Sequence, residues 1–189
     1  MREPDETLEF DGGRLRRLLP ADLEPALRAV IESLEHLKPW MVWATDGYGE
    51  EEAAAFLDRC KAEWESGEAY HYAILADGAA DGAMAGSCGL MARPLAGPHG
   101  MEIGYWLHPR YTGRGLMTRA VAAMTAEGLR LGADPVDLLH DVANERSGAV
   151  ARRLGFAYVG SRPAEDVLAP AQTGVMAVWR ATPGWRPPA

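Results

Sequence analysis

Glu102-Ile103-Gly104-Tyr105-Trp106-Leu107-His108-Pro109-Arg110-Tyr111-Thr112-Gly113-Arg114-Gly115-Leu116-Met117 is the stretch on which the fold turns. A strand-like run passes into a short loop with two glycines, and an amphipathic helix starts at once. Glycine has no Cβ, so main-chain N–H groups there can approach an anion closely. The helix start adds unsatisfied donors and a positive dipole end. Together these features read as a cradle for a diphosphate. A nucleoside-triphosphate loop would need Gly-Lys-Ser/Thr after its glycines, and Leu116 and Met117 follow Gly115 instead. A dinucleotide fingerprint would need a third glycine where Thr118 stands, and would open a βαβ unit rather than follow a meander.

Upstream of the stretch, Leu15 to Leu19 reads as a strand after a polar start, and Pro20-Ala21-Asp22 as a helix entry. Leu23, Leu27, Val30, Ile31, Leu34 and Leu37 recur at helical spacing until Lys38-Pro39. A loop with Trp40 and Trp43 precedes a second helix, Glu50 to Glu65, stopped by Gly67. Strands follow at Tyr70 to Ala76, Ala83 to Ala92 and Met101 to His108. Asp77-Gly78, Asp81-Gly82 and Gly97-Pro98-His99-Gly100 mark the turns between them. Downstream the pattern is helix (Leu116 to Leu131), strand (Val136 to Val142), helix (Asn144 to Leu154) and strand (Phe156 to Gly160). A last strand runs from Gly174 to Arg180. A meander followed by alternating helices and strands implies an α/β fold with a mixed sheet and helices on its faces.

The chain of 189 residues suits one core and one domain. We assign residues 1–181 to that domain and 182–189 to an irregular, poorly packed proline-rich tail. With 48% hydrophobic and 24% charged residues it has the balance of a folded protein, not a disordered one. No apolar run approaches the roughly 20 residues of a membrane span, and the N-terminus lacks a signal-peptide pattern, so a cytoplasmic protein without a membrane partner is expected. A formal charge of -8 argues against a nucleic-acid partner, which would need a basic footprint. Cys60 and Cys88 form neither a disulfide scaffold nor a zinc motif, and no His, Cys, Asp and Glu grouping at ligand spacing suggests a metal.

The pattern Arg110-x-x-Gly113-x-Gly115 resembles the acyl-CoA signature of the GNAT acetyltransferase superfamily. Asn144-x-x-Ser147-x-x-Val150-x-x-Arg153-Leu154-Gly155-Phe156 resembles the second half of that family's site, at the expected distance and after the expected strand. Glu102 to Leu107 and Leu37-Lys38-Pro39-Trp40 are similar to segments of the RimJ/RimL-like branch, which acetylates ribosomal-protein N-termini. The resemblance implies a mostly antiparallel sheet of about seven strands that splays open after the strand ending at Leu107, with the pantetheine arm in the gap. It also implies an acetyl-CoA-dependent N-acetyltransferase acting on a protein N-terminus or a small amine, as a monomer or homodimer.

Carried over by position, the resemblance gives the backbone from Gly113 through Arg114, Gly115 and Leu116 to Met117 to the CoA pyrophosphate, with Arg110 and Arg114 adding positive charge. Arg119 or Arg152 could meet the 3′-phosphate. Asn144 would contact the pantetheine region, and the backbone N–H near Leu107 would stabilise the oxyanion. Many relatives carry a tyrosine acid where this chain has Ala151, so the acid role passes to Ser147, as in the branch it resembles. Glu102 alternates onto the strand face of Gly104 and Trp106, where a carboxylate can deprotonate an ammonium with a pKa near 10. Trp40, Trp43, Tyr105 and His140 are candidates for acceptor binding. A non-catalytic acyl-CoA sensor and an acyltransferase fed by a carrier protein are the rival readings.

Overall fold

The computed structural model describes residues 2–80, 82–93, 97–165 and 167–188. Met1 and Ala189, at the ends of the expected domain and tail, and Asp81 of the turn pair Asp81-Gly82 lie outside the described residues.

Eight strands form one sheet: β1 (Thr7–Phe10), β2 (Gly13–Arg17), β3 (Ala69–Ala76), β4 (Gly86–Ala92), β5 (Met101–Leu107), β6 (Val136–Asp141), β7 (Ala157–Pro163) and β8 (Val175–Ala181). Their spatial order is β1-β2-β3-β4-β5-β6-β8-β7. Every neighbouring pair is antiparallel except β5 and β6. The sheet thus has one strand more than the sequence suggests. The addition is β1, inside the stretch expected to be a polar start. Its alternation turns Leu8 and Phe10 toward the core, and Asp11-Gly12 makes the hairpin to β2.

Helices cover both faces. On one, α4 (Leu116–Leu131) lays Ala120, Val121 and Met124 over Leu15, Tyr72, Ile74, Cys88, Leu90, Ile103 and Leu138. The short α5 (Glu145–Arg153) joins the same cluster through Val150 and Ala151. On the other face, α1 (Leu23–Ile31) and α3 (Glu50–Ser66) bury Ala26, Ala29, Leu57 and Cys60 against Leu18 and Ala73. Alternation along the strands explains the division: Tyr72 and Ile74 point one way, Ala73 the other.

The stripe expected as one helix from Leu23 to Leu37 is broken. After α1 the chain relaxes at Glu32-Ser33, and α2 (Leu34–Leu37) resumes for one turn. Ser33 is buried and its hydroxyl donates to the Ala29 carbonyl at 2.6 Å, a local bond that competes with helix propagation. The break leaves Ile31 46% exposed while Val30 and Leu37 stay buried. The tail also differs from expectation. Its described residues hold no helix or strand, yet Trp185 donates its indole N–H to the Leu154 carbonyl at 2.9 Å and meets the Phe156 ring edge-on. The tail is therefore irregular but anchored.

Candidate active site

At the end of β5, buried His108 organises the glycine loop. Its Nδ1 accepts the Arg110 backbone N–H at 3.1 Å, which leaves the proton on Nε2 to be donated to Glu32 at 3.1 Å. A 3-10 turn, Pro109–Tyr111, follows, and Thr112 Oγ1 donates to the Pro109 carbonyl at 2.8 Å. Gly113 and Gly115 then adopt φ of +76° and +72°. An L residue there would cost ~1–2 kcal/mol. A Cβ on Gly115 would also stand 2.9 Å from Arg119 Nη1. That guanidinium braces the loop, donating to the Asp11 carbonyl at 2.5 Å and the Arg114 carbonyl at 3.2 Å. Helix α4 begins immediately, so its first-turn N–H groups lack helical acceptors and meet the loop. Arg110, Arg114 and Arg119 flank a cavity of about 350 Å³ between this loop, Gly12 and the β3–β4 turn.

Beside the loop the sheet opens. β5 and β6 pair only from Met101 to Ile103 against Val136 to Leu138. Beyond that, β5 stays with β4 as far as Leu107 and β6 stays with β8 as far as Asp141. Among the described residues no strand pairing joins Gly104–Leu107 to Leu139–Asp141, so the two edges face a gap. The gap opens beside the strand where the family resemblance implies it.

Across this gap the Tyr105 hydroxyl lies 2.7 Å from Ser147 Oγ. Ser147 sits in the first turn of α5, where its N–H donates to the Asn144 side-chain oxygen at 3.2 Å. Asn144 is thus the helix cap, and its amide NH2 has no hydrogen-bond partner among the described residues. Asp141 fixes the approach to that cap. Its carboxylate, 2% exposed, accepts the N–H groups of Ala143, Thr173 and Gly174 at 2.8–3.0 Å and the Thr173 hydroxyl at 3.0 Å. Burial opposes its ionisation, but these bonds prevail and hold the carboxyl below its ordinary range.

The other candidates fall on two faces. His140 lies on the α5 side and is fully engaged: Nδ1–H donates to the Asp141 carbonyl at 2.7 Å, and Nε2 accepts the Trp179 indole N–H at 3.0 Å. The indole can only donate, which fixes the tautomer. Gly148 makes room for the ring, since a Cβ there would come within 2.8 Å of it. Glu102 lies on the opposite face beside Arg93, 3.0 Å away. Burial pushes its pKa up, and the Arg93 charge and hydrogen bond only partly counter this. It lines a cavity of about 140 Å³ with Arg93, Asp137, Leu139, Arg162 and Arg180. Asp137 and Arg180 form a two-pronged ion pair, 2.7 Å at both contacts. Further along that face Trp106 meets the edge of Trp43, ring centres 6.4 Å apart, and Trp43 leans on Tyr48. Trp40 lies past α2 and makes no ring contact with either tryptophan among the described residues.

The structure therefore brings together Tyr105, Ser147 and Asn144, the loop from Arg110 to Met117, and Trp43 with Trp106. It leaves His140 inside a structural network and Trp40 apart. Glu32, Arg93, Asp137 and Arg180 are the polar residues that sequence reasoning passed over as site builders. Their partners lie on other elements, so no local spacing announces them. Only the Glu32-Ser33 break, a polar pair in an apolar stripe, carried a signal.

A profile of the acetyltransferase (GNAT) domain family matches residues 14–157, which include the whole loop, the gap and Ser147. The chain belongs to the GNAT acetyltransferase family. Members use acetyl-CoA as cosubstrate, and the chain is an acetyl-CoA-dependent N-acetyltransferase. A Bacillus subtilis (strain 168) relative named a putative ribosomal N-acetyltransferase, YdaF, is 27% identical over 143 residues, covering 75% of this chain and 76% of its own. Among solved structures, Mycobacterium smegmatis RimJ in complex with CoA-disulfide has a TM-score of 0.81 at 20% identity, covering 98% of this chain and 91% of RimJ. The microcin C7 self-immunity acetyltransferase MccE, in complex with acetyl-CoA and AMP, has a TM-score of 0.80 at 18% identity, covering 91% and 93%. Among the described residues no helix is long and apolar enough to cross a membrane.

Proposed function

We propose that this GNAT protein acetylates a primary amine of a protein N-terminus or a small metabolite by direct attack within a ternary complex. The observation that carries the reading is the parting of β5 from β6 beside the Gly113–Gly115 loop. Two strand edges with unpaired N–H and C=O groups suit an extended arm that carries amides, and the loop N–H groups suit the diphosphate at its end. Arg110 and Arg114 supply charge there, and the Asn144 amide NH2 faces the arm. We place the enzyme in the cytoplasm, as a monomer or homodimer, with no nucleic-acid partner.

The two faces then divide the chemistry. The amine approaches from the side of Trp43, Trp106 and Glu102, and a carboxylate whose pKa is raised is suited to take its proton. Nitrogen attacks the thioester carbonyl, the N–H near Leu107 receives the oxyanion, and the C–S bond breaks toward Ser147. Alignment contributes much of the rate, because a thiol of pKa about 8.5 is already a fair leaving group.

Mass spectrometry of products formed from acetyl-CoA with peptides bearing free N-termini and with a panel of small amines tests the activity. Ser147→Ala should lower kcat by about 10- to 1000-fold. Uptake of acetyl-CoA without acyl transfer to any acceptor would overturn the catalytic reading. Unchanged kcat in the variant would remove Ser147 from it.

A further inference from the structure

We infer that Tyr105 is a positioning residue that makes Ser147 a hydrogen-bond donor to the departing thiolate, rather than an acid that gives up its proton. The inference rests on the acetyl-CoA reading above and assigns Tyr105 a place outside the acceptor pocket. The 2.7 Å contact joins strand β5 to helix α5 across the gap in which the thioester must lie. The nearest other acceptor for the phenol is the Ser147 carbonyl at 3.4 Å. A phenol is a better donor than an alkyl hydroxyl, so Tyr105 donates to Ser147 Oγ. The Ser147 hydrogen is then free to turn toward the sulfur.

Proton affinities decide what the pair can do. A thiol ionises near pKa 8.5 and an unperturbed tyrosine near 10. Burial moves Tyr105 further up, a trend that its bond to Ser147 only partly opposes. Passing a proton from this pair to the thiolate is therefore uphill, whereas donating a hydrogen bond to it is not. The titratable groups around the pair do not alter this balance. Cys88 faces Tyr105 from β4 and is buried, with its own pKa raised. Arg146 adjoins Ser147 on α5, and His36 stands near Arg146 with its pKa lowered, chiefly by burial. His140, on β6, is committed to Asp141 and Trp179. The step balances without a new acid. The C–N bond forms, the C–S pair goes to sulfur, the ammonium proton leaves through the base or water, and the thiolate takes a proton from solvent after release.

The test reads the thiol itself and needs no acceptor. Free CoA is titrated in its complex with the protein by thiolate ultraviolet absorbance, with desulfo-CoA as the blank. The comparison spans wild type, Tyr105→Phe, Ser147→Ala and the double variant. Calorimetry monitors CoA binding and thermal melting the fold. The bound thiol should ionise roughly 10-fold more readily, one pKa unit, in wild type than in Ser147→Ala. Tyr105→Phe should lose most of that gain with its CoA affinity within about threefold of wild type, and the double variant should match Ser147→Ala, because the two hydroxyls act as one unit. Tyr105→Phe that binds CoA and keeps the wild-type ionisation would overturn the inference, as would a Tyr105→Phe effect that adds in full to that of Ser147→Ala. No uptake of CoA by the wild type would instead strike the acetyl-CoA reading on which it rests.

Discussion

Asp141→Ala tests whether one carboxylate holds the turn that delivers Asn144 and Ser147. The side chain accepts from three backbone N–H groups and one hydroxyl, tying the β6–α5 turn to the start of β8. A hydrogen bond to a charged group contributes ~1.5–3 kcal/mol, but the donors of one cluster are not additive. Thr173 and Ala143 are exposed, so their N–H groups regain water when the carboxylate is removed. The net loss should therefore be ~2–4 kcal/mol, against a total stability of ~5–15 kcal/mol for a domain. That corresponds to a fall in Tm of ~5–15 °C at this chain length. The Asp141 pKa is depressed on folding, so its contribution is complete above the unfolded value of about 3.9 and is lost as pH falls through the folded one. Urea unfolding followed by tryptophan fluorescence should show the full gap between wild type and variant at neutral pH, and a closing gap below about pH 4. A gap under ~0.5 kcal/mol at neutral pH, or one indifferent to acid, would refute the reasoning.

Gly115→Ala should weaken CoA binding by about 10-fold in calorimetry, since a left-handed alanine costs ~1–2 kcal/mol and its Cβ would displace the Arg119 brace. Affinity unchanged by the substitution would detach the loop from the diphosphate. If Glu102 is the base, kcat/KM should fall on an acid limb placed above the ordinary glutamate value of about 4.3, because its pKa is raised. Glu102→Gln should erase that limb and lower the plateau roughly 100-fold or more. A variant that retains the limb assigns it to another group.

The local patterns carried most of the architecture. Helix α4 begins at Leu116 and ends at Leu131 as its periodicity and the glycines around it require, and α3 stops at Gly67. Strand β1 escaped because Thr7-Leu8-Glu9-Phe10 is short and acidic at its margins. The alternation and the Asp11-Gly12 turn were nevertheless present to be read. The conformation of the glycine loop was legible because it is local and contiguous, with Gly113 and Gly115 at positive φ ahead of α4. The Tyr105–Ser147 bond, the Glu102–Arg93 pair and the Asp141 cluster were not, since each joins residues on different elements whose meeting depends on register and layer. His140 shows the converse. Its position near a strand end is where a satisfied histidine is the ordinary outcome and acceptor binding the alternative, and only the Trp179 indole and the Asp141 carbonyl reveal how both nitrogens are occupied.

Cys88 lies under α4 on one side of the sheet and Cys60 on the buried face of α3 on the other, one thiol in each layer. Burial pushes Cys60 up to about 12 and Cys88 higher still, so the native chain offers an alkylating reagent almost no thiolate. Each sulfur becomes a clock for its own side, labelled only when that layer swings open. Two labelling rates, resolved by peptide mapping, would tell whether the halves loosen together or whether one peels away while the other keeps time.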